Sequence, residues 1–224
     1  MQILEGTFVA TPERGEVSSL TLVPDEPRCL LALSHGAGAG MHHASLESIA
    51  QALAQVGVAT FRYQFSYMEN GRGRESAAVS IATVRSAAIA AHAVRPELPL
   101  LMGGHSYGGR MTSLAAAQAP IPGVKGLVFF NFPLHAPGRA GVERATHLPQ
   151  IQVPMLFLSG SRDTFAQPAL LESVLTPLQG KATLAWLDTA NHSYQVLKRK
   201  RTVKEDVFTE MAQAMDAWLT QTIS

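Results

Sequence analysis

The 224-residue sequence predicts an α/β fold, a three-layer α/β/α sandwich in which helices cover both faces of a mostly parallel, doubly wound sheet. Short apolar runs of strand length alternate along the chain with longer segments of helical spacing. Several of these runs are unbroken, as expected of strands that are buried on both faces. A hydrophobic content of 46% over this length suffices for a sizeable core. We therefore expect a single domain over residues 1–224.

The first two predicted strands form an antiparallel hairpin at one edge of the sheet, because ILEGTFVAT and EVSSLTLVP are separated by the turn-prone PERG. The strands predicted after them are CLLALS, VATFRYQF, LPLLMGG, GLVFFNF, VPMLFLSG and ATLAWLD. The predicted helices are ASLESIAQALAQVG, ESAAVSIATVRSAAIAAHAV, RMTSLAAAQA and a last segment from about Lys204 to Leu219. The last segment places Val207, Met211, Ala214, Met215 and Trp218 on one helical face, so we expect it to cap the sheet.

The charge balance excludes several classes of partner. Eighteen basic against seventeen acidic residues give a formal charge of +1, which supplies no global attraction for nucleic acid or an anionic membrane.

The start MQILEGTFVA lacks the basic and apolar regions of a signal peptide, and no apolar run approaches the length of a membrane span. The single cysteine, Cys29, lies in an apolar run and is interpreted as a buried structural thiol. We expect a cytoplasmic protein with a small-molecule partner.

One serine lies among glycines between a predicted strand and a predicted helix. Residues 104–108, Gly-His-Ser-Tyr-Gly, match G-x-S-x-G, with LPLLM before them and RMTSLAAAQA after them. Such a turn strains the serine backbone and points the hydroxyl out of the sheet, next to the positive end of a helix dipole. The pattern predicts that Ser106 is a nucleophile.

A serine hydroxyl needs a base, and a carboxylate must orient that base. Of eight histidines, His192 follows the last predicted strand and precedes the last helix, so we predict that it is the base. Asp163 follows the strand VPMLFLSG and is the predicted acid, with Asp188 as the alternative. The order Ser106, Asp163, His192 is typical of α/β-hydrolases among serine triads.

The other histidines have simpler interpretations. His92 lies within the Ala-rich helix and is structural, and His105 points elsewhere on so tight a turn. His42, His43 and His147 are interpreted as surface or capping residues. A metal site built from His35, His42 and His43 is conceivable, but their spacing fits no known ligand pattern, so we expect no metal and no organic cofactor.

The glycine-rich segment SHGAGAG, residues 34–40, follows the strand CLLAL. Its backbone N–H groups are accessible, and we predict an oxyanion hole formed by the N–H groups of Ala37 and Tyr107. Phosphate binding by this loop is the competing interpretation. It fails because G-x-G-x-x-G starting at Gly36 needs a glycine where the chain has Met41.

With these residues placed, the chain resembles the α/β-hydrolase superfamily from about Leu30 to Leu219. It is most similar to a compact, lidless group related to dienelactone-hydrolase-like proteins. The segments FRYQFSYM, GLVFFNFPLHAPG, THL, FLSGSRDTF and NHSY carry the resemblance. It implies an α/β-hydrolase fold without a lid domain and a serine-dependent hydrolase of esters or thioesters, with Ser106, Asp163 and His192 at the triad positions. It also implies that Phe132 and His135 lie near the active site as substrate-binding residues, where His135 lines the pocket, hydrogen-bonds the substrate or orders a loop.

The chain departs from these relatives at two positions, one that concerns the substrate and one that concerns the electrostatics beside the serine. Dienelactone hydrolases proper use a cysteine nucleophile where this chain has Ser106, which argues against dienelactone itself. Position 105 is histidine where relatives often carry lysine or arginine.

The substrate and the class of function stay open at this point. About twenty residues separate Asn131 from the next predicted strand, which is too few for a helical lid and indicates an open, shallow site for small acyl groups. The basic run KRKR, residues 198–201, is a solvated cluster or steers an acidic substrate. A non-catalytic binding scaffold and a peptidase with the same triad are the alternatives, and a monomer and a homodimer are both compatible with the sequence.

Overall fold

The computed structural model describes residues 1–222. Its strands are β1 (Gln2–Thr11), β2 (Gly15–Val23), β3 (Cys29–Ser34), β4 (Val58–Tyr63), β5 (Leu100–His105), β6 (Val124–Phe130), β7 (Met155–Gly160) and β8 (Ala182–Leu187). Its helices are α1 (Ala44–Ala54), α2 (Ser66–Glu69), α3 (Ala77–Val94), α4 (Tyr107–Gln118), α5 (Pro168–Leu175) and α6 (Val207–Thr222). Short 3₁₀ turns lie at Glu143–Ala145, Leu148–Gln150 and Thr176–Leu178.

The eight strands form one sheet in the order β1-β2-β4-β3-β5-β6-β7-β8. β1 and β2 pair as the predicted antiparallel hairpin at the edge, and β2 joins β4 in antiparallel orientation. All other pairs are parallel. The carboxyl ends of β5, β7 and β8 therefore reach the same edge of the sheet.

The core has two main parts, one on each face of the sheet. Buried residues of α3, α4 and α5 pack with one set of inward strand side chains, and those of α1 and α6 pack with the other set. Every residue of β3, β4 and β7 is buried, as their unbroken apolar sequences predict. The predicted three-layer sandwich is confirmed.

Several local predictions differ from the structure. α2 and α5 were not predicted, since each is only one or two turns long and gives a weak periodic signal. The last helix begins at Val207 rather than near Lys204, because the Asp206 side chain accepts hydrogen bonds from the N–H groups of Phe208 and Thr209 and so caps it. Cys29 is buried as predicted, and burial raises the pKa of its thiol to about 12.

The expectation that no segment reaches the length of a membrane span was wrong. α3 has 18 residues with a mean hydropathy of 1.4, long and apolar enough by composition to cross a membrane. Seven of its residues are buried, and the helix packs against β1 and α4. A helix that covers a sheet face satisfies the same composition test, and the packing of α3 indicates this role.

The turn from β5 to α4 fixes the position of Ser106. Its backbone has φ 50° and ψ −110°, outside the helical and extended regions, and its N–H donates to the carbonyl of Phe130 at 2.9 Å. A Cβ on Gly104 would lie 2.0 Å from Ser34 Oγ, and a Cβ on Gly108 would lie 2.4 Å from the same atom. β3 thus packs so closely against the turn that only glycine fits two residues before and two residues after the serine.

Two regions near this edge complete the frame. Residues 131–154, between β6 and β7, contain two 3₁₀ turns, and no longer helix occurs in that stretch, consistent with the absence of a helical lid. His35 follows β3 and is fully buried, where its Nδ1–H donates to the Gly36 carbonyl at 2.8 Å and its Nε2 accepts from the Phe65 N–H at 3.0 Å. His35 therefore joins the loop after β3 to the loop after β4.

We expect Gly108→Ala to lower the free energy of unfolding by roughly 1–3 kcal/mol, because the added methyl would overlap Ser34 Oγ and the carbonyl oxygen of His35, which lies 2.7 Å from it. Urea unfolding of both proteins measures the difference. Gly73→Ala is the matched control, since no described atom lies within 4 Å of its Cβ. Its effect should stay within about 0.5 kcal/mol. Equal stability of the two variants would contradict the crowded turn.

We also expect stability to decrease as the pH falls from about 6.5 toward 4. Burial lowers the pKa values of His35, His105 and His147 from 6.5 to about 4, with smaller contributions from His192 on His105 and from Arg110 on His147. These side chains bind protons more tightly in the unfolded chain than in the folded protein. The stability that the three neutral histidines contribute is therefore complete above about pH 6.5 and is lost as the pH approaches 4.

The measurement is urea unfolding at several pH values in this window. His147→Gln should reduce proton uptake on unfolding by about one proton, since it removes one such group. His42→Gln, at an exposed histidine, is the control and should leave the pH dependence unchanged. A free energy of unfolding that stays flat across the window would contradict this prediction.

Candidate active site

The structure brings Ser106, His192 and Asp163 into one hydrogen-bonded chain. They follow β5, β8 and β7, whose carboxyl ends share an edge of the sheet. Ser106 Oγ lies 2.9 Å from His192 Nε2, and Asp163 Oδ2 lies 2.8 Å from His192 Nδ1. In this arrangement the Nδ1–H donates to the carboxylate, which leaves Nε2 free to accept the serine proton.

The carboxylate is held in a fixed orientation. Asp163 is 1% exposed, and its second oxygen, Oδ1, accepts a hydrogen bond from the Phe165 N–H at 2.8 Å. The Phe165 ring also contacts the imidazole of His192, with 4.4 Å between ring centroids. The alternative acid, Asp188, instead binds the N–H groups of Thr202 and Val203 at 2.5 and 3.2 Å. These bonds hold its Oδ2 against the loop before α6, whereas Asp163 binds the His192 ring directly, so the geometry favours Asp163.

Two side chains that the sequence analysis did not assign hold the backbone of His192. Its carbonyl oxygen accepts hydrogen bonds from Asn131 Nδ2 at 3.0 Å and from His105 Nε2 at 3.1 Å. Asn131 is fully buried with φ 52°, and its Oδ1 accepts from the Gly160 N–H at 2.8 Å. In the sequence, the signal that could have indicated Asn131 is its position as a polar residue directly after the aromatic end of β6. Asn131 therefore joins the ends of β6 and β7 to the loop that carries the histidine.

His105 serves this loop as a neutral donor. Burial, and secondarily the neighbouring His192, lower the pKa of His105 to about 4, so that the ring is uncharged at neutral pH. A carbonyl oxygen can only accept, so the proton of the neutral ring lies on Nε2. The side chain lies beneath the loop, with its ring centroid 5.3 Å from that of His192 and 5.6 Å from that of Tyr194.

The predicted oxyanion donors lie beside the serine. Ala37 and Tyr107 line the same cavity as Ser106. Tyr107 is the first residue of α4, where an N–H group has no partner within the helix. Within residues 1–222, neither this N–H nor that of Ala37 donates to a protein acceptor. The Ala37 carbonyl accepts a hydrogen bond from the Tyr67 hydroxyl at 3.0 Å, which orients the loop after β3.

The cavity in front of Ser106 has a volume of about 530 Å³. One wall is the loop 36–39, and another contains Pro133, Pro137 and Phe165. Arg74, Arg110 and Arg144 line it as well, together with a single carboxylate, that of Glu75. No sequence pattern indicates this cluster, because Arg74 and Glu75 are neighbours in the chain while Arg110 and Arg144 are distant from them and from each other.

The segment that contains Phe132 and His135 reaches the cavity as expected, but through Pro133 and Pro137, and neither Phe132 nor His135 lines it. Phe132 is fully buried in the core, with its ring 5.3 Å from that of Phe129 and 5.7 Å from that of Phe157. His135 is 3% exposed, and its ring nitrogens each lie 2.9 Å from an oxygen, one of Ala136 and one of Gln167. Pro133, the next residue after Phe132, faces the cavity instead. His135 thus orders its loop.

The remaining candidates lie outside the cavity or at its rim. Lys198, Arg199 and Lys200 are exposed, while Arg201 is paired with Glu210 at 2.8 Å and orders the segment before α6. His43 caps α1, with its Nδ1 accepting from the Ser45 N–H, as the capping interpretation predicts. Within the described residues, no group of three or more His, Cys, Asp or Glu side chains is arranged to hold a metal ion.

Solved structures with the same architecture are found in several bacteria. A dienelactone hydrolase from Anabaena variabilis is 19% identical with a TM-score of 0.74, and all of each chain is covered. An esterase domain from a Rhodothermus marinus protein is 17% identical with a TM-score of 0.73, again over all of each chain. A serine hydrolase without a lid from Xanthomonas campestris is 21% identical with a TM-score of 0.73, over 99% of this chain and 95% of the other. At identities of 17% to 21%, the similarity to these three structures establishes the fold alone.

The sequence itself matches a family model over residues 27–220, from just before β3 into α6. The model is described as an alpha/beta hydrolase domain. The matched region contains the β5–α4 turn, the loop after β3 and the hydrogen-bonded chain of Ser106, His192 and Asp163. The chain belongs to the alpha/beta hydrolase domain family.

Proposed function

We propose that this protein is a serine-dependent hydrolase that cleaves small carboxylic esters or thioesters through an acyl-enzyme intermediate. The observation that carries the proposal is the continuous hydrogen-bonded chain from Ser106 through His192 to the buried Asp163, at the wall of an accessible cavity. A hydroxyl alone is a weak nucleophile, and this arrangement supplies both its base and the group that orients the base.

The first half of the proposed reaction acylates the serine. His192 Nε2 takes the Ser106 proton as Oγ attacks the acyl carbon, and Asp163 stabilises the imidazolium that forms. The carbonyl oxygen becomes an oxyanion that accepts hydrogen bonds from the N–H groups of Ala37 and Tyr107. When the intermediate collapses, the bond to the leaving group breaks and His192 returns the proton to the departing oxygen or sulfur.

The second half releases the acid. His192 removes a proton from a water molecule, whose oxygen attacks the acyl carbon of the acyl-Ser106 ester. The same N–H groups stabilise the second oxyanion, and its collapse releases the carboxylic acid and restores the Ser106 hydroxyl with the proton held by His192. Both halves use one base and one oxyanion site, so this part of the mechanism requires neither a metal nor an organic cofactor.

The shape of the site supports small substrates. No helix longer than a 3₁₀ turn lies in the stretch 131–154, and the cavity of about 530 Å³ is not fully enclosed. An open site buries little of a long acyl chain and therefore gains little from each added methylene. The proposal includes a cytoplasmic location and a protein that acts as a monomer or a homodimer.

We expect Ser106→Ala to lower kcat for para-nitrophenyl acetate by roughly 10⁴-fold or more. His192→Ala should lower it by roughly 10²- to 10⁴-fold, because the general base is lost. The double variant should be no slower than Ser106→Ala, since the residues act as a unit. Initial-rate assays on purified proteins measure these values.

Ser173→Ala is the control for loss of a hydroxyl, because Ser173 is exposed on α5 and, among residues 1–222, its hydroxyl bonds only to the Leu170 carbonyl. It should retain the wild-type rate. Full activity in Ser106→Ala would refute the proposed mechanism. Cleavage of a peptide amide faster than of the matched ester would instead identify a peptidase, and a folded protein without any hydrolysis would identify a binding scaffold.

We expect kcat/KM to decrease, or to stay level, along a series of para-nitrophenyl esters from acetate to palmitate. The physical reason is that the open cavity leaves most of a long chain in water. The measurement is kcat/KM below the critical micelle concentration of each ester. A steady increase toward palmitate would show that a long apolar acyl site exists and would contradict the small-substrate proposal.

A further inference from the structure

Three arginine side chains line the cavity that contains Ser106. Arg74 lies in the loop before α3, Arg110 lies in the first turn of α4, and Arg144 lies in a 3₁₀ turn of the stretch 131–154. They come from three separate parts of the chain, so the fold rather than a local run of basic residues brings them together. The near-neutral formal charge of the whole chain, +1, gives no indication of this cluster.

In the part of the chain that the structure describes, the three arginines lack a carboxylate partner at ion-pair distance, although the more distant Glu143 interacts favourably with Arg144. The Nε atom of Arg110 is buried and has no hydrogen-bond partner among the described residues. Arg144 Nη1 donates to the neutral carbonyl of His135 at 2.9 Å, and the guanidinium of Arg74 lies 5.4 Å from the centre of the Tyr107 ring. Apart from the buried Nε of Arg110 and the Nη1 of Arg144, the guanidinium donors have no protein acceptor within residues 1–222 and can bind a ligand.

The carboxylate that lines the cavity, that of Glu75, already accepts hydrogen bonds from other residues of the protein. Glu75 accepts hydrogen bonds from the hydroxyls of Ser66 and Ser80, one at each oxygen. Ser80 Oγ also lies 2.9 Å from the hydroxyl of Tyr107. Three arginines against one glutamate leave two net positive charges in the cavity, with histidines counted as neutral.

This concentration of charge is costly in the absence of a ligand. Burial, followed by the neighbouring Arg144, lowers the pKa of Arg110, and burial, followed by Arg74, lowers the pKa of Arg144. Guanidinium groups remain protonated in proteins, so the unfavourable interaction persists instead of being relieved by loss of a proton. An anion placed among the three groups would relieve it, and the planar fork of arginine suits carboxylate and phosphate.

We propose that the substrate is an anionic ester or thioester, whose carboxylate or phosphate group is held by Arg74, Arg110 and Arg144 while Ser106 attacks the acyl carbon. The inference rests on the proposed hydrolase function and adds the class of substrate to it. The anionic group makes and breaks no covalent bond. It orients the substrate, and the three arginines determine specificity rather than perform the chemistry.

The test compares matched esters that differ by one charge. In the acyl arm, the para-nitrophenyl monoester of adipic acid is compared with the same ester after methylation of its free carboxyl. In the leaving-group arm, para-nitrophenyl acetate is compared with the acetate of a para-nitrophenol that carries a carboxylate. We expect kcat/KM for the anionic member of at least one arm to be roughly 10- to 100-fold higher, and this preference should decline with added salt.

Variants connect that preference to the cluster. Arg144→Gln or Arg110→Gln should reduce the ratio of anionic to neutral kcat/KM by roughly 10-fold or more, mainly through KM, because a charge-assisted hydrogen bond is lost. Arg139→Gln is the matched control, since Arg139 lies on the same segment but is exposed and outside the cavity. It should retain the wild-type ratio. Inhibition by adipate and by inorganic phosphate distinguishes carboxylate from phosphate as the preferred group.

Failure of this inference is distinguishable from failure of the proposed function. An enzyme that hydrolyses the neutral and anionic members of both arms equally would refute the anionic substrate and leave the serine mechanism intact. A preference that survives in both arginine variants would refute the assignment to these residues. If no ester is hydrolysed, calorimetry with adipate and with phosphate decides. Binding that is lost in Arg144→Gln supports the anion site, and no binding to wild type overturns it.

Discussion

The crowded turn between β5 and α4 is the constraint on which the site depends. Ser34 at the end of β3 packs beneath it, with its hydroxyl donating to the Gly103 carbonyl at 2.7 Å and lying where side chains on Gly104 and Gly108 would otherwise be. This close approach holds Ser106 at φ 50°, with its hydroxyl above the sheet edge and its neighbour Tyr107 at the start of α4. The strain is local, and the buried parallel strands on both sides balance it.

The base is positioned by its backbone as well as by its ring. Asp163 fixes the imidazole from one side, and the side chains of Asn131 and His105 bind the His192 carbonyl from another. Asn131 also binds the end of β7, the strand that precedes Asp163. The acid, the base and the end of β6 are therefore one connected polar unit in a largely apolar surrounding, where hydrogen bonds of this kind are strong and their loss is costly.

The fold and the hydrogen-bonded chain were predictable because each rests on local sequence patterns. Unbroken apolar runs identify β3 and β7, and G-x-S-x-G between a strand and a helix identifies the turn at Ser106. What sequence reasoning missed depends on contacts between distant segments. Arg74, Arg110 and Arg144 converge only in the folded chain, and the burial of Phe132 depends on which way an irregular segment rotates. Asn131 was similarly hidden, since a polar residue after a strand fits an ordinary loop equally well.

The proposed mechanism depends on activation of Ser106 by His192. Labelling with a fluorophosphonate probe is the decisive measurement, since the probe reacts irreversibly with activated serine hydroxyls and needs no knowledge of the substrate. We expect wild-type protein to gain one probe per chain, peptide mapping to locate it on Ser106, and His192→Ala and Ser106→Ala to stay unlabelled. A folded wild-type protein that gains no probe, or that is labelled at another serine, would refute this activation.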